Sequence, residues 1–118
     1  MKNNTEIFNK LEALFRKLIN SEYIERNSEN DFTKWEFQLT ADKAVYLLWE
    51  SKSDFNENKR PVYIGEGILG QRIGRHYWEK RNWKYLQFIT DNDLKDLNLR
   101  KLFERYCIAI LNPSENRN

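Results

Sequence analysis

The sequence predicts an α+β domain, with a small, mainly antiparallel three-stranded sheet flanked by helices and preceded by an N-terminal helix and an extra strand. Two observations predict this class. Short apolar runs rich in β-forming residues alternate with polar loops in the middle of the chain, whereas apolar residues recur at three- and four-residue spacing near both ends. At 118 residues, the chain is long enough for one core but not for two.

The first part of the chain is predicted to be a helix followed by a strand. Thr5 is a suitable cap for a helix that runs to about Asn20, because apolar residues recur with helical spacing at Ile7, Leu11, Leu14, Phe15, Leu18 and Ile19. Residues 32–39 alternate with a period of two, which predicts a strand. Together they form an extension, residues 1–40, packed on a core of residues 41–118.

Two short apolar runs predict a hairpin. Residues 44–49 indicate a buried strand, and residues 62–64 indicate a second strand after the polar loop 50–60. An antiparallel pairing places Tyr46 and Tyr63 on neighbouring strands. Both tyrosines are interpreted either as buried hairpin aromatics or as functional groups.

Residues 61–77 combine a turn with cations. After the second strand, a turn is predicted at three glycines, Gly65, Gly67 and Gly70. The following helix has an apolar stripe formed by Leu69, Ile73 and Tyr77. Arg72 and His76 lie four apart along its margin and are expected to point towards the hairpin. This segment is either a phosphate-binding turn or an ordinary strand-to-helix turn with a solvated basic face.

The last third of the chain predicts a strand and a long helix. Residues 85–90 form the strand, and the helix runs from about Leu94 to Ile110, where Asn112 and Pro113 end it. Its cap is Asp91 or Asp93, and the residues available for burial are Leu97, Leu99, Leu102, Phe103, Tyr106, Ile110 and Leu111.

Glu104 lies on this helix where its polar and apolar faces meet. Arg100 is one turn away, so a surface ion pair between the two is the default interpretation. The last five residues, 114–118, are expected to be frayed unless something binds them.

Positive charge is concentrated in residues 59–87, which hold 7 Lys and Arg against 2 Asp and Glu. Residues 1–58 hold 8 Lys and Arg against 11 Asp and Glu, and residues 88–118 hold 5 basic and 5 acidic residues. Basic residues interleaved with aromatic residues suit a polyanion. The candidate nucleic-acid contacts are Gly65, Gly67, Arg75, Lys80, Arg81 and Lys84. A solvated basic helix is the alternative.

Composition excludes several classes of protein. No run approaches the roughly 18 apolar residues of a membrane span, and the N-terminus does not resemble a signal peptide, so a cytoplasmic protein without a membrane partner is expected. Cys107 has no second cysteine with which to form an internal disulfide. One cysteine and one histidine also exclude a zinc site made of such ligands within one chain.

Residues 43–117 resemble the GIY-YIG nuclease family. Its two signature strands correspond to residues 44–46 and 63–65. Four further family positions occur in the same order and at compatible spacing, namely Arg72, His76, Glu104 and, after Pro113, Asn116.

The chain departs from the family pattern at three places. Ala44 replaces the first signature glycine, and Arg72 lies one residue closer to Tyr63 than is usual. Glu66 stands where many relatives carry a lysine that is thought to help ionise a tyrosine, which leaves open whether this chain is active and which residue is the base.

The resemblance implies a Mg²⁺-dependent endonuclease that hydrolyses phosphodiester bonds in DNA through one metal ion, with Mn²⁺ as a substitute. In that interpretation Glu104 binds the metal, Arg72 stabilises the phosphate, Tyr46 is the general base, and Tyr63, His76 and Asn116 assist. A free tyrosine has a pKa of about 10 and needs a nearby cation or the metal to ionise. If neither acts on Tyr46, His76 is the better base, since its ordinary pKa is about 6.5.

A second interpretation is a catalytically inactive module on the same fold that binds nucleic acid or another protein. Under either interpretation the target sequence, the choice between DNA and RNA, and nicking versus double-strand cleavage stay open. Specificity is expected from loops such as 50–60, from a homodimer, from a partner protein, or from a further part of a longer chain.

Overall fold

The computed structural model describes residues 3–26, 43–51, 60–78 and 82–116 and, within these ranges, all side chains except those of residues 74–78. Its elements are, in chain order, α1 (Asn4–Ile19), β1 (Ile24–Glu25), β2 (Lys43–Trp49), β3 (Tyr63–Ile68), α2 (Leu69–Trp78), β4 (Tyr85–Thr90), a 3₁₀ helix (Asn92–Lys95) and α3 (Leu97–Leu111). The predicted α+β class is confirmed. The strand predicted at residues 32–39 lies outside the described residues.

The described strands form one antiparallel sheet in the order β1-β4-β2-β3. β2 is central, and its residues 44–49 are buried because both faces of the strand are covered. Tyr46 lies opposite Gly65 on β3 and opposite Phe88 on β4. The predicted hairpin pairing and the strand at residues 85–90 are therefore confirmed.

Alternation along β2 creates two apolar layers. On one face, Leu69 and Ile73 of α2 pack with a cluster that includes Ala44, Tyr46 and Leu48. On the other face, α1 and α3 pack against Val45, Leu47 and Trp49, with these helix residues buried: Leu11, Leu14, Phe15, Leu18, Phe103 and Cys107. We call these the α2 face and the α1/α3 face.

The predicted turn at the three glycines is wrong. β3 continues through Gly65 and Gly67 to Ile68, and α2 begins at the next residue with Gly70 inside its first turn. Gly67 has φ +132°, a conformation that favours glycine and lets the strand pass directly into the helix.

Two helix starts differ from the predictions. Asn3, not Thr5, caps α1, since its Oδ1 accepts a hydrogen bond from the Glu6 amide at 2.8 Å. Asp91 caps a 3₁₀ helix that was not predicted, and Asp96 caps α3, which therefore begins at Leu97 and not at Leu94.

The buried face of α3 also differs from the prediction. Three residues expected to be available for burial are exposed instead: Leu97 by 50%, Leu102 by 42% and Ile110 by 52%. The helix ends as predicted, because Asn112 adopts the left-handed conformation (φ 49°) before Pro113. None of the helices in the described ranges is long and apolar enough to cross a membrane.

A buried amide joins α1 to the sheet. Gln87 on β4 is fully buried; its Oε1 accepts a hydrogen bond from Trp49 Nε1 at 2.8 Å, and its Nε2 donates to the carbonyls of Ser21 (2.9 Å) and Ile19 (3.3 Å). A polar side chain in this position is stable because its hydrogen bonds replace those lost to water.

Replacing Gln87 with leucine is expected to lower the free energy of unfolding by about 2 kcal/mol, because buried donors and acceptors lose their partner. Urea denaturation measures the change. The double variant Gln87→Leu/Trp49→Phe removes the indole donor as well and is expected to lose less than the sum of the two single variants. Strict additivity would contradict the hydrogen-bond explanation.

Candidate active site

Two stacked tyrosines occupy the α2 face where β2 meets β3. The ring centroids of Tyr46 and Tyr63 are 6.2 Å apart, with 28° between the ring planes. The Tyr46 phenol lies directly over Gly65, so closely that a side chain at that position would overlap the ring and its oxygen. Tyr46 is only 1% exposed, whereas Tyr63 is half-buried, so Tyr63 is the more accessible phenol of the pair.

Arg72 reaches back from the first turn of α2 over the end of β3. A Cβ atom built on Gly67 would lie 2.7 Å from Arg72 Nε, so the guanidinium group occupies the space that a side chain would fill. Gly65 and Gly67 are two residues apart on one strand, which separates their Cα atoms by about 7 Å. Tyr46 and Arg72 therefore lie over adjacent positions of the same strand face.

Glu104 approaches this strand from α3. It is half-buried, and among the described residues its carboxylate accepts no hydrogen bond and forms no ion pair. Burial raises the pKa of Glu104, and the negative charge of Glu66 raises it further, while Lys101, Arg72 and Arg105 lower it. Arg72 is one of the smaller influences on the pKa of Glu104, and the two side chains do not form an ion pair.

The expected pair between Arg100 and Glu104 is wrong. Arg100 Nε donates instead to Glu66 Oε2 at 2.6 Å, and its Nη1 donates to the Leu94 carbonyl at 2.9 Å. The side chains of Arg100 and Glu66 are only 7% and 12% exposed. The negative charge at position 66 is thus offset by an arginine from another element.

β3 lies between the two groups of candidate residues. Tyr46, Tyr63 and Arg72 lie over its α2 face, whereas α3, which carries Glu104, packs on the α1/α3 face, opposite the tyrosines. The charges of Glu66 and Arg72 still affect the pKa of Glu104.

Asn116 holds the outer side of β3. Its Oδ1 accepts a hydrogen bond from the Ile64 amide at 2.8 Å, and its Nδ2 donates to the Ile64 carbonyl at 2.7 Å. The amides of Ser114 and Glu115 donate to the carbonyls of Pro61 (2.9 Å) and Val62 (2.8 Å). Residues 114–116 are therefore bound along β3, and their predicted fraying is wrong.

Replacing Asn116 with alanine is expected to lower the free energy of unfolding by about 1–2 kcal/mol, because Ile64 loses both hydrogen bonds. Amide hydrogen exchange is the direct measurement, and the Ile64 amide is expected to lose protection before the amides of β4. Glu115→Ala, which removes an exposed side chain next to Asn116 and keeps the backbone, serves as the control. Unchanged protection at Ile64 would contradict the assigned role of Asn116.

Of the other predicted site residues, some have side chains outside the described part of the chain and some lie on or next to the sheet. The side chains of His76 and Arg75 lie outside the described residues, as do Lys80 and Arg81. Lys84 is exposed, and its amide donates to the Trp49 carbonyl at 2.7 Å, at the end of the sheet where Tyr63 begins β3. Gly65 and Gly67 are buried because Tyr46 and Arg72 cover them.

Two features of this region were not predicted from the sequence. The first is the pair of Glu66 and Arg100, whose members lie 34 residues apart on different elements. The second is the binding of residues 114–116 along β3, for which the polar sequence Ser-Glu-Asn gives no local signal.

A divalent metal is compatible with the chemistry of Glu104. A half-buried carboxylate without a hydrogen bond or ion pair is the hard oxygen ligand that Mg²⁺ accepts, with water and phosphate oxygens completing the coordination. Among the described residues, no group of three or more His, Cys, Asp or Glu side chains lies close enough to hold a metal ion. An ion held by Glu104 would therefore need water and substrate oxygens for its other ligands.

Comparison with known proteins does not assign a family. The chain matches no protein-family model, and a search of curated proteins found no significant match.

Proposed function

We propose that this protein is a Mg²⁺-dependent endonuclease that hydrolyses phosphodiester bonds in DNA through a one-metal site on a GIY-YIG-like fold. One observation carries the proposal. Arg72 and Glu104 are both half-buried, and Arg72 is one of the charges that lower the pKa of Glu104, yet neither forms a salt bridge or side-chain hydrogen bond with any described residue. A cation and an anion that are partly buried and unpaired leave their bonding capacity for a ligand that carries both charges, such as a metal-bound phosphate.

In the proposed reaction, Glu104 holds Mg²⁺ through a carboxylate oxygen. When bound, the ion supplies Lewis-acid stabilisation of the charge that develops on the phosphate. The planar Arg72 guanidinium donates hydrogen bonds to the non-bridging oxygens. Water attacks phosphorus and the bond to the 3′ oxygen breaks, which leaves a 5′-phosphate and a 3′-hydroxyl.

Tyr46 is the proposed general base that takes the proton from the attacking water. Arg72 is the cation that favours its ionised form, since the two side chains cover Gly65 and Gly67 on one strand face. Tyr63 is the more exposed phenol and orients the water or the phosphate. His76 is the alternative base, and Asn116 positions the strand that carries Tyr63.

A binding module without turnover is the second candidate function. The burial of Tyr46, which is 1% exposed, favours it because a general base must reach a water molecule. DNA, with RNA as the alternative ligand, would then bind without being cleaved. Cleavage assays that are paired with binding assays distinguish the two functions.

The proposal is tested by nicking of supercoiled plasmid in the presence of Mg²⁺. Wild-type protein is expected to nick the plasmid, and EDTA is expected to stop it. Arg72→Gln is expected to reduce the rate about 100-fold or more, because a charged donor to the transition state is lost. Arg16→Gln, which changes an exposed arginine on α1, is the matched control and is expected to retain activity.

Two outcomes decide against the enzyme. If wild-type protein binds DNA or RNA but cleaves neither with Mg²⁺ or Mn²⁺, the protein is a binding module. If Arg72→Gln cleaves as fast as Arg16→Gln, Arg72 is not the phosphate ligand.

A further inference from the structure

Arg100 has two carboxylates within reach and contacts one of them. Glu104 lies four residues later on α3, a spacing that normally brings opposite charges together. Nevertheless Arg100 Nε donates to Glu66 on β3 at 2.6 Å, while its Nη1 donates to the Leu94 carbonyl at 2.9 Å. The side chains of both members of the ion pair are largely buried, which fixes the direction of the arginine side chain.

We propose that Glu66 is a positioning residue for the metal site: by binding Arg100, it keeps the Glu104 carboxylate without an ion pair and therefore accessible to a divalent cation. This inference rests on the proposed function, because it assigns Glu104 as the metal ligand. It gives a role to the residue at which the chain departs most strongly from the GIY-YIG pattern.

The physical basis is competition between a guanidinium group and a metal ion for the same carboxylate. A buried guanidinium requires a counter-charge, since an unpaired buried charge is strongly unfavourable. If Glu66 were neutral, the carboxylate of Glu104 would be the counter-charge one helical turn away. Arg100 would then occupy oxygen atoms that a divalent cation needs.

Two hydrogen bonds hold the Arg100 guanidinium group in place. The hydrogen bond to the Leu94 carbonyl ties the guanidinium to the 3₁₀ helix that precedes α3, and Glu66 ties it to β3. The contact with Leu94 directs the side chain towards the start of α3, whereas Glu104 lies in the next turn towards its end. Neither of these hydrogen bonds involves an atom of Glu104.

The first test is the affinity for Mn²⁺, measured by titration with detection of the free ion by electron paramagnetic resonance. Glu66→Gln is expected to weaken Mn²⁺ binding about 10- to 100-fold, the range found when a residue that orients a metal ligand is lost. The double variant Glu66→Gln/Arg100→Gln removes the competing cation and is expected to recover an affinity close to that of the wild type. A purely structural role of the pair predicts no such recovery.

The second readout does not depend on metal binding. In NMR spectra, the Arg100 Nε–H group of Glu66→Gln is expected to show a nuclear Overhauser contact with the Glu104 methylene protons that wild-type protein lacks. Urea denaturation verifies that each variant is folded. If Glu66→Gln does not fold, Glu66→Asp, which keeps the charge but shortens the reach, is expected to show the same contact and weaker Mn²⁺ binding.

The outcomes separate this inference from the proposed function. Unchanged Mn²⁺ affinity in a folded Glu66 variant, or a double variant as weak as the single one, overturns the positioning role. Absence of the Arg100–Glu104 contact overturns it as well, whatever the metal result. Wild-type protein that neither binds Mn²⁺ nor cleaves DNA overturns the proposed function, and with it the availability of Glu104 to a metal.

Discussion

Glu104→Gln is expected to reduce Mg²⁺-dependent cleavage about 1,000-fold, a loss of about 4 kcal/mol of transition-state stabilisation. The substitution keeps the size and shape of the side chain but removes the negative charge that binds the metal ion. Glutamine also leaves a half-buried position without a charge, so the fold is expected to be at least as stable as that of the wild type. Single-turnover cleavage of a labelled DNA duplex measures the rate.

The control for this prediction is Glu22→Gln, which neutralises an exposed carboxylate in the segment between α1 and β1. It is expected to cleave at the wild-type rate. DNA binding, measured by fluorescence anisotropy without metal, is expected to persist in Glu104→Gln, since removing a negative charge does not weaken attraction to a polyanion. Cleavage by Glu104→Gln at more than a tenth of the wild-type rate, roughly 1.4 kcal/mol, would refute the assignment of Glu104 as the metal ligand.

Gly65→Ala is expected to destabilise the protein by about 3 kcal/mol and to abolish cleavage. The new methyl group would overlap the phenol of Tyr46, which is surrounded by the α2-face cluster and has little room to move. Overpacking of this kind forces side chains out of their preferred rotamers or shifts the backbone. Urea denaturation gives the stability, and the plasmid assay gives the activity.

A compensating substitution tests the cause. Gly65→Ala/Tyr46→Leu replaces the phenol with a smaller apolar side chain and is expected to be more stable than Gly65→Ala alone. It is not expected to regain cleavage, because the proposed base is absent. Wild-type stability in Gly65→Ala would show that the close packing of Tyr46 against Gly65 does not constrain the strand.

Much of the fold was predictable because the signals are local. The buried run at residues 44–49 is apolar throughout, and the strand at residues 85–90 consists of apolar and β-forming residues apart from Gln87. The spacing of Leu11, Leu14 and Leu18 determines one helix face. The glycine segment was mispredicted because its local signal is a turn. Gly65 and Gly67 fit a strand here because two side chains from other elements fill the space above them. These are Tyr46, from the earlier strand β2, and Arg72, from the following helix α2.

Prediction of the site failed where tertiary contacts override helical spacing. Arg100 and Glu104 have the separation of an intrahelical pair, but Arg100 contacts the largely buried carboxylate of Glu66 on β3 instead. The exposed side chains of α3 lie away from the buried face of the helix, which is determined by its packing against α1 and the sheet. Neither effect can be read from residues within one helix.

The contact of residues 114–116 with β3 has a consequence for solution behaviour. β3 pairs with β2 on one side, and an uncovered strand on the other side would present free amides and carbonyls to a second molecule. Residues 114–116 cover Pro61, Val62 and Ile64, so fewer amides and carbonyls on this side are open to pairing with a second molecule. The expected consequence is a lower tendency of this edge to associate with another sheet.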